Sequence, residues 1–475
     1  MPGNINRKKF LQLSMLAPLS LAARPFNFLS KEDTACWPRD NDNVTYYKPG
    51  DVPYEQLRKG FNKRIDKHPA IIALCRNTNG VSEAIVYAAK NSLPVAVKSG
   101  GHCMEGFSSN NGGMVINLYA MKTIEWLDEE TVKLSPACTL AEIYNSLLPK
   151  KRIIPGGSCA GVGIGGLVLG GGYGLMARKF GLTCDSLQAA TMVDGKGNII
   201  SSSEDPELLW GCRGGNNGNF GVATELVFKT HKAPATMQSF RFRAYKVNAE
   251  RARSVLQKWF ELTATLPEDC FSAFVLNGKT LYILLTNVGK QTAVVKNFIT
   301  GLKSITDKTT GTASQPLARA LKTYYGKTAP LYFKNASAGL YKNFTEIESF
   351  IEKALDIVVS TPGMIYQVNT LGGNIQNTTF EQAASFPHRA YPYFSELQTY
   401  WDLPSQQQRL MERFEQVQQV FSGAGIAAQY RNYPDLNFAN SQDKYYGASY
   451  KRLQQLKNKY DPADLFRYEQ SIKGL

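Results

Sequence analysis

The chain has 475 residues, of which 43% are hydrophobic and 20% charged, a composition typical of a folded protein of two or three domains rather than of a disordered chain. Its net charge of +15 comes from basic residues scattered along the sequence in no run of five, which argues against a nucleic-acid-binding arm. The eight cysteines have neither CxxC pairs nor metal-finger spacing, so we expect no metal site.

Residues 1–30 have the order of an export signal peptide. Arg7-Lys8-Lys9 precedes an apolar stretch from Phe10 to Ala23, which is too short to span a bilayer and has small residues near its end. The residues around Arg7 also resemble a twin-arginine signal with lysine in the second place. We therefore predict an exported protein, periplasmic or extracellular, without a membrane span.

From about Pro69 the sequence alternates strand-like and helix-like pieces. Strands are expected at 70–74, 94–98, 114–118 and 132–134, and helices at 81–91 and 139–148. Thr139, with Glu142 three residues later, is a capping box that begins the second of these helices. The pattern predicts an α+β domain over residues 65–235.

Glycines are densest between Gly156 and Gly174. Gly161 to Gly166 satisfies G-x-G-x-x-G, and Asp185 follows about where a Rossmann fold places a ribose-binding acid. The preceding strand is short and Gly170 to Gly172 would interrupt the required helix, so a nicotinamide-dinucleotide site is the weaker interpretation. Exposed backbone N–H groups of such glycines can instead bind a pyrophosphate as a loop nest.

Two residues in glycine-rich turns are candidate cofactor attachment points. His102 follows Ser99-Gly100-Gly101, and Cys159 lies in Gly156-Gly157-Ser158-Cys159-Ala160-Gly161. The second segment lacks the last glycine of a nucleophile elbow, which disfavours a serine hydrolase. After Lys229 longer strands and amphipathic helices predict a substrate domain over 236–425, followed by a C-terminal segment over 426–475.

Six motifs occur in order: Val97 to His102, Gly156 to Gly174, Asp205 to Gly221, Phe386 to Arg389, Asn432 to Asp435 and Tyr460 to Ile472. Together they resemble the berberine bridge enzyme-like oxidases, a branch of the vanillyl-alcohol-oxidase type flavoproteins that includes bacterial oligosaccharide oxidases. The resemblance implies a PCMH-type FAD-binding domain of two subdomains, and a substrate domain whose antiparallel sheet is backed by helices. It also implies that the C-terminal segment returns to the FAD domain.

The resemblance implies one FAD with two covalent links, from His102 to the flavin 8α carbon and from Cys159 to C6. It places cofactor-cradling turns at Ser99, Gly100, Gly101, Gly163, Gly165, Gly166, Gly170 and Gly172, and the adenine end at Gly221 and Val222. Val162 fills a position where a small side chain is associated with oxygen access, which favours an oxidase.

The resemblance also implies catalytic positions, with one departure. Tyr173 matches a tyrosine base that the family assists with a lysine, but that lysine position is Glu396 here, and a carboxylate raises a tyrosine pKa. Gln398 keeps the family's polar position and shares a strand face with Glu396. Tyr433 matches a catalytic tyrosine or histidine, so Glu396 is expected to accept the substrate proton, through Tyr433. His388 is expected to be structural.

These expectations describe a secreted FAD-dependent oxidase that moves a hydride from an alcohol or sugar hemiacetal carbon to flavin N5 and reduces dioxygen to hydrogen peroxide. Its partners are a small-molecule sugar or alcohol and dioxygen, and no nucleic acid is expected. Two alternatives stay open: an oxidase of a polyketide or glycoside secondary metabolite, and a flavin-loaded binding protein without turnover. The sequence leaves substrate identity and oligomeric state open.

Overall fold

The strands of this protein form four β-sheets in a computed structural model that describes residues 38–475. The expected export signal and Cys36 lie outside the described residues. Contacts group Asp40–Leu475 into one unit, so the domain boundaries drawn from the sequence stay predictions. No helix within residues 38–475 is long and apolar enough to cross a membrane.

The first part of this unit mixes short strands and helices. Its strands are β1 (Val44–Tyr47), β2 (Ile71–Cys75), β3 (Val95–Lys98), β4 (Met114–Asn117), β5 (Ile124–Trp126), β6 (Thr131–Leu134), β7 (Arg152–Ile153), β8 (Leu187–Asp194), β9 (Ile199–Ser201), β10 (Gly221–Lys229) and β11 (His231–Lys232). Its helices are α1 (Tyr54–Arg58), α2 (Thr78–Lys90), α3 (Leu140–Leu147), α4 (Ile164–Val168), α5 (Ala177–Phe180) and α6 (Pro206–Cys212), with 3-10 turns at Leu148–Lys150 and Thr183–Ser186.

Two sheets organise this part. One has the order β1-β2-β4-β3, with β2, β4 and β3 parallel, and its apolar central strands are buried on both faces as parallel strands require. The other is antiparallel, in the order β5-β6-β10-β8-β9, while β7 and β11 pair separately. The predicted capping box begins α3, where Thr139 accepts from the Glu142 amide and Glu142 accepts from the Thr139 amide.

The rest of the unit is built on one large antiparallel sheet. Its strands are β12 (Thr236–Tyr245), β13 (Cys270–Asn277), β14 (Thr280–Asn287), β15 (Lys308–Gly311), β16 (Gln315–Pro316), β17 (Tyr332–Tyr341), β18 (Met364–Thr370) and β19 (Tyr393–Trp401). The order is β15-β12-β14-β13-β18-β19-β17, with β16 also paired to β12. The helices are α7 (Ala249–Thr263), α8 (Ala293–Lys303), α9 (Leu317–Lys322), α10 (Ile351–Val359), α11 (Thr378–Ala383), α12 (Gln407–Gly423), α13 (Ser441–Tyr446) and α14 (Tyr450–Tyr460), with 3-10 turns at Phe344–Glu346, Gly373–Gln376, Pro404–Gln406 and Gly447–Ser449.

The two faces of the large sheet differ in chemistry because successive strand side chains point to opposite sides. On one face Phe274, Ile283 and Leu397 belong to a buried core shared with α7, α10 and α12. The other face carries the buried Glu396, the partly exposed Gln398 and a small apolar cluster that includes Ala273 and Val275. This second face forms one wall of the candidate site.

A buried charged cluster joins three distant segments of the unit. Lys334 on β17 donates to the carboxylates of Glu105 and Asp435, and Asp435 lies 2.8 Å from the Lys334 ammonium. Arg64 contacts the other oxygen of Glu105 at 2.8 Å. Two cations thus face two carboxylates, which is how charges are tolerated in an interior.

The C-terminal segment packs against the first part. Lys457 on α14 donates to the Asn219 carbonyl at 2.8 Å and to Asp461 at 2.7 Å, and all three residues are buried. The Leu465 carbonyl accepts from the Val95 amide at 2.9 Å, next to the edge strand β3. The seven cysteines in the described part of the chain are free thiols.

Candidate active site

The turns that carry His102 and Cys159 meet in space. A side-chain carbon on Gly161 would lie 3.1 Å from His102 Nε2, so His102 faces a position two residues beyond Cys159. The backbones of Gly100 and Gly163 touch, since a Cβ on Gly163 would lie 2.7 Å from the Gly100 nitrogen. The structure therefore brings together the two candidate tethers, which are far apart in sequence.

His102 is held as a neutral imidazole. Its ring stacks on Phe61, with 4.3 Å between ring centroids and 15° between planes. Burial lowers the His102 pKa to about 4, because the charged ring would lose its hydration. A neutral ring keeps a nitrogen lone pair free to form a bond to carbon at neutral pH.

Cys159 is the exposed thiol beside this turn. Water reaches it, yet the surrounding protein desolvates the thiolate and raises the Cys159 pKa, with the Glu396 carboxylate adding to the effect. The nearby amide of Ala160 donates to the Tyr325 carbonyl at 3.0 Å. Val162 follows in the same turn, half-buried against the core of the first part.

At most of the expected cradle positions, close packing leaves no room for a side chain larger than that of glycine. A Cβ on Gly170 would lie 2.1 Å from Asn432 Oδ1, and one on Gly172, whose φ is +84°, would lie 2.4 Å from Thr183 Oγ1. Gly166 has no atom within 4 Å of such a carbon, so its surface is open. The remaining expected positions are packed against protein atoms, namely Ser99, whose hydroxyl donates to the Pro136 carbonyl at 2.5 Å, Gly101 near the Lys98 side chain, Gly165 near Pro136, and Gly221 and Val222, buried at the start of β10.

Glu396 is the buried centre of the polar set on the large sheet, with only 3% of its surface exposed. Asn369 on β18 donates to its Oε1 at 3.2 Å, and Asn335 on β17 donates to its Oε2 at 3.1 Å. The Tyr173 hydroxyl donates to Oε1 at 3.3 Å. Burial raises the Glu396 pKa, and these donors oppose the rise by stabilising the carboxylate.

Tyr173 and Tyr433 lie in one aromatic group above Glu396. Their ring centroids are 6.1 Å apart, and Tyr430 stacks on Tyr433 at 5.4 Å. Burial, followed by the Glu396 carboxylate, raises the pKa of both Tyr173 and Tyr433 well above the ordinary value for tyrosine. Neither hydroxyl is therefore a ready phenolate, and the hydrogen bond from a tyrosine to Glu396 comes from Tyr173 rather than Tyr433.

Gln398 lies two residues along β19 from Glu396 and on the same face. Its side-chain oxygen accepts from the Tyr400 hydroxyl at 2.8 Å, and Gln398 is half-buried. It is thus a polar, reachable group beside the carboxylate.

Asp185 has a structural partner instead of a ribose. Arg389 donates to its two carboxylate oxygens at 2.5 and 3.0 Å, and both side chains are buried. The helix after the G-x-G-x-x-G match, α4, has only five residues. The Rossmann interpretation therefore fails on both counts. His388 is structural as expected, since its Nε2 bonds the Lys444 carbonyl at 2.9 Å.

Sequence reasoning missed three neighbours of the site, Asn335, Asn369 and Phe61. Asn335 and Asn369 reach Glu396 across 61 and 27 residues of sequence. Asn369 alternates with Gln367 on one face of its strand, and this pair of amides was the available signal for a polar sheet face. Phe61 lies in a loop without a motif, so only the fold reveals it.

Comparisons with known proteins place this arrangement in a family. The chain matches the family models for FAD binding domain over residues 69–203 and for Berberine and berberine like over residues 429–473. It is 30% identical to an uncharacterized FAD-linked oxidoreductase, YvdP, of Bacillus subtilis over 89% of this chain and 96% of that protein. It is 28% identical to a chitooligosaccharide oxidase of Gibberella zeae over 89% and 91% of the two chains.

The solved structure of a chitooligosaccharide oxidase superposes with a TM-score of 0.81 at 26% identity, over 91% of this chain and 97% of that one. The fold is thus an α+β PCMH-type flavoprotein fold, which confirms the predicted fold class. The chain belongs to the berberine bridge enzyme-like family of FAD-linked oxidoreductases. FAD is therefore its cofactor, and the open surface at Gly166, the neutral His102 and the exposed Cys159 thiol fit that group chemically.

Proposed function

We propose that this FAD-linked oxidase oxidises a carbon bearing a hydroxyl group, in a sugar hemiacetal or a secondary alcohol, and releases hydrogen peroxide. The observation that carries the proposal is Glu396, a buried carboxylate with a raised pKa beside two tyrosines and two amides. Such a group accepts a proton at neutral pH more readily than an exposed carboxylate. The similarity to a chitooligosaccharide oxidase supports a saccharide as the substrate class.

His102 and Cys159 are proposed to hold the flavin ring by two covalent bonds, and the glycine turns at Gly100, Gly163 and Gly166 to bind its remainder. Bound FAD supplies a hydride acceptor at N5 and transfers the two electrons to dioxygen. Val162, the half-buried residue after Gly161, is proposed to leave room for oxygen.

The protein's own residues handle the proton. Glu396 accepts the proton of the substrate hydroxyl while the carbon loses its hydride and a C=O bond forms. Asn335 and Asn369 orient the carboxylate by donating to its two oxygens. Tyr173 donates to the same carboxylate, so its hydroxyl is the proton relay that this geometry favours, with Tyr433 and Gln398 binding the substrate from either side.

A peroxide-coupled screen of oligosaccharides and alcohols, followed by stopped-flow flavin reduction, tests the proposal. Wild type should bleach the flavin and release peroxide, with a rate that falls as pH falls through the raised Glu396 pKa, because only the carboxylate accepts a proton. Glu396→Gln should lower the reduction rate by about 100- to 10,000-fold and remove this acid limb. Glu412→Gln, exposed on α12, is the charge-matched control.

Two results would contradict this assignment. An unchanged pH profile in Glu396→Gln would remove Glu396 as the base. Reoxidation of the reduced protein by oxygen at a rate no faster than that of free flavin would refute the proposed oxidase activity. The melting temperature distinguishes loss of catalysis from misfolding. Because burial raises the Glu396 pKa, the charged carboxylate lowers the stability of the folded state as pH rises. Glu396→Gln should therefore melt no lower than wild type at neutral pH.

A flavin-loaded binding protein without turnover is the second candidate, favoured by the departure at Glu396 from the family lysine. It predicts binding of a saccharide without bleaching. Export by the signal at residues 1–30 is also proposed, and fractionation of the full chain with and without that segment tests it.

A further inference from the structure

Side chains in one register row cross the large sheet from the reaction centre to its far edge. Glu396 on β19 lies opposite Gln367, which lies opposite Val275, followed by Tyr282 and Arg243 on β12. Directly paired residues of an antiparallel sheet point to the same side, so all five belong to the face of the candidate site. With strands spaced by about 4.8 Å, Arg243 lies about 19 Å from Glu396.

A second row runs beside the first. Asn369 lies opposite Ala273, which lies opposite Leu284, which lies opposite Arg241. Both rows therefore change in the same order, from amides and a carboxylate to apolar or aromatic side chains, and then to arginine. A sheet face with a polar end, an apolar middle and a cationic end is complementary to a ligand whose polar, apolar and anionic groups follow in that order.

The two arginines have cationic groups free to bind an anion. Arg243 makes one long hydrogen bond, 3.3 Å to the Thr310 hydroxyl. Within residues 38–475, neither Arg241 nor Arg243 forms a salt bridge, and β12, β14 and β15 contain no acidic residue. Lys308 lies opposite Arg243 on β15 and adds a third positive charge at this edge.

A loop connects this edge to the candidate flavin tether. The Tyr324 hydroxyl donates to Ser239, which lies on the same face of β12 as Arg241, at 2.8 Å. The next residue, Tyr325, accepts through its carbonyl from the Ala160 amide, beside Cys159. One short segment, Tyr324 and Tyr325, therefore contacts both the cationic edge and the turn that carries Cys159.

We propose that the substrate is an acidic oligosaccharide, whose oxidised sugar lies at Glu396 and whose carboxylate on a more distant sugar binds Arg241 and Arg243. The span between them exceeds one sugar ring several times, so the bound acid belongs to another unit of the chain. Tyr282 and Leu284 contact the apolar faces of the intervening sugars. The identity of the reacting end rests on the function proposed above, whereas the acid-binding edge does not.

The test is binding of a uronic acid tetrasaccharide to the FAD-loaded enzyme, measured calorimetrically, against its carboxyl-reduced counterpart of identical linkage. Wild type should bind the acidic compound about tenfold more tightly, and added salt should remove the difference. Arg241→Gln/Arg243→Gln should bind both compounds equally. Where the compounds are oxidised, the double variant should raise KM for the acidic one about tenfold and leave kcat unchanged.

Arg409→Gln, exposed on α12 and on the helix-covered side of the sheet, is the matched control and should behave as wild type. Equal binding of the acidic and reduced compounds by wild type overturns the proposal, as does a double variant that keeps the preference. A sulfated tetrasaccharide that binds more tightly than the uronic acid, with the same loss in the double variant, would assign the edge to sulfate esters. Binding of the acidic compound without flavin reduction would support the acid-binding edge and show that the oxidised sugar is not the one at the reaction centre of this compound.

Discussion

His102 and Cys159 show how one residue can depend on another far along the chain. A side-chain carbon on Gly161 would lie 3.1 Å from His102 Nε2, so the two turns are close enough to contact one ligand. Neither residue alone indicates a tether, because a histidine or cysteine in a loop is commonly structural. The closeness of their two turns is what supports the proposed double link.

Mass spectrometry of tryptic peptides tests the double link. The peptides spanning residues 99–122 and 153–178, each released by cleavage after lysine or arginine, are expected as one species joined through a single flavin. Cys159→Ala should leave flavin on the first peptide only, and His102→Ala on the second only. Cys103→Ala is the matched control, because that thiol accepts a hydrogen bond from the Phe107 amide and should keep both links. Flavin absent from the second wild-type peptide would make Cys159 a packing residue.

Some properties of the site residues could be predicted from the sequence, and others could not. Because Glu396 stands where the family has a lysine, the sequence predicts a raised Tyr173 pKa. The structure gives the same direction, with burial as the larger cause. Proton transfer to Glu396 through Tyr433 stays a prediction, while the hydrogen bond from Tyr173 to Glu396 adds a partner that the sequence did not indicate. Relays depend on ring orientation across separate segments, which local sequence does not encode.

At the scale of elements, the ion pair between Asp185 and Arg389 fixes the 3-10 turn Thr183–Ser186 against the Phe386 to Arg389 segment. The Asp185 carboxylate also accepts from the Leu182 amide at 2.8 Å. Asp185→Asn should lower the free energy of unfolding by about 3–5 kcal/mol, because a buried guanidinium loses its counter-charge.

Chemical denaturation measures this change. Glu261→Gln, which removes an exposed ion pair with Lys258, is the control and should cost about 0–1 kcal/mol. A loss in Asp185→Asn no larger than in the control would mean that the pair contributes little to the turn.

Elements with a local cause were predicted well. The strands near 71, 95 and 114 and the capped helix α3 follow from apolar runs and the Thr139/Glu142 box. The order of the large sheet was not predictable, since β19 pairs with β17 and β18 through long-range register rather than through any turn signal.

At the scale of the whole molecule, the FAD-binding part depends on the C-terminal segment. Lys457, Leu465 and Ile472 each bond the first part of the unit. A fragment of residues 40–235 would leave the buried Asn219 and the edge of β3 without these partners. We expect the fragment to be insoluble or colourless, whereas residues 40–475 should be soluble and yellow; flavin absorbance of the purified proteins measures this. A soluble, flavin-bearing fragment would contradict it.

The cluster of Lys334, Glu105, Asp435 and Arg64 has a consequence for turnover. It fastens the substrate sheet to the first part and to the C-terminal segment through three buried charged groups, Lys334, Glu105 and Asp435, and the partly exposed Arg64. Separating these segments would break several charge-assisted hydrogen bonds at once, and a change of one member alone would leave its partner buried and uncompensated. The substrate sheet, the first part and the C-terminal segment are therefore expected to keep their relative positions while substrate binds and product leaves.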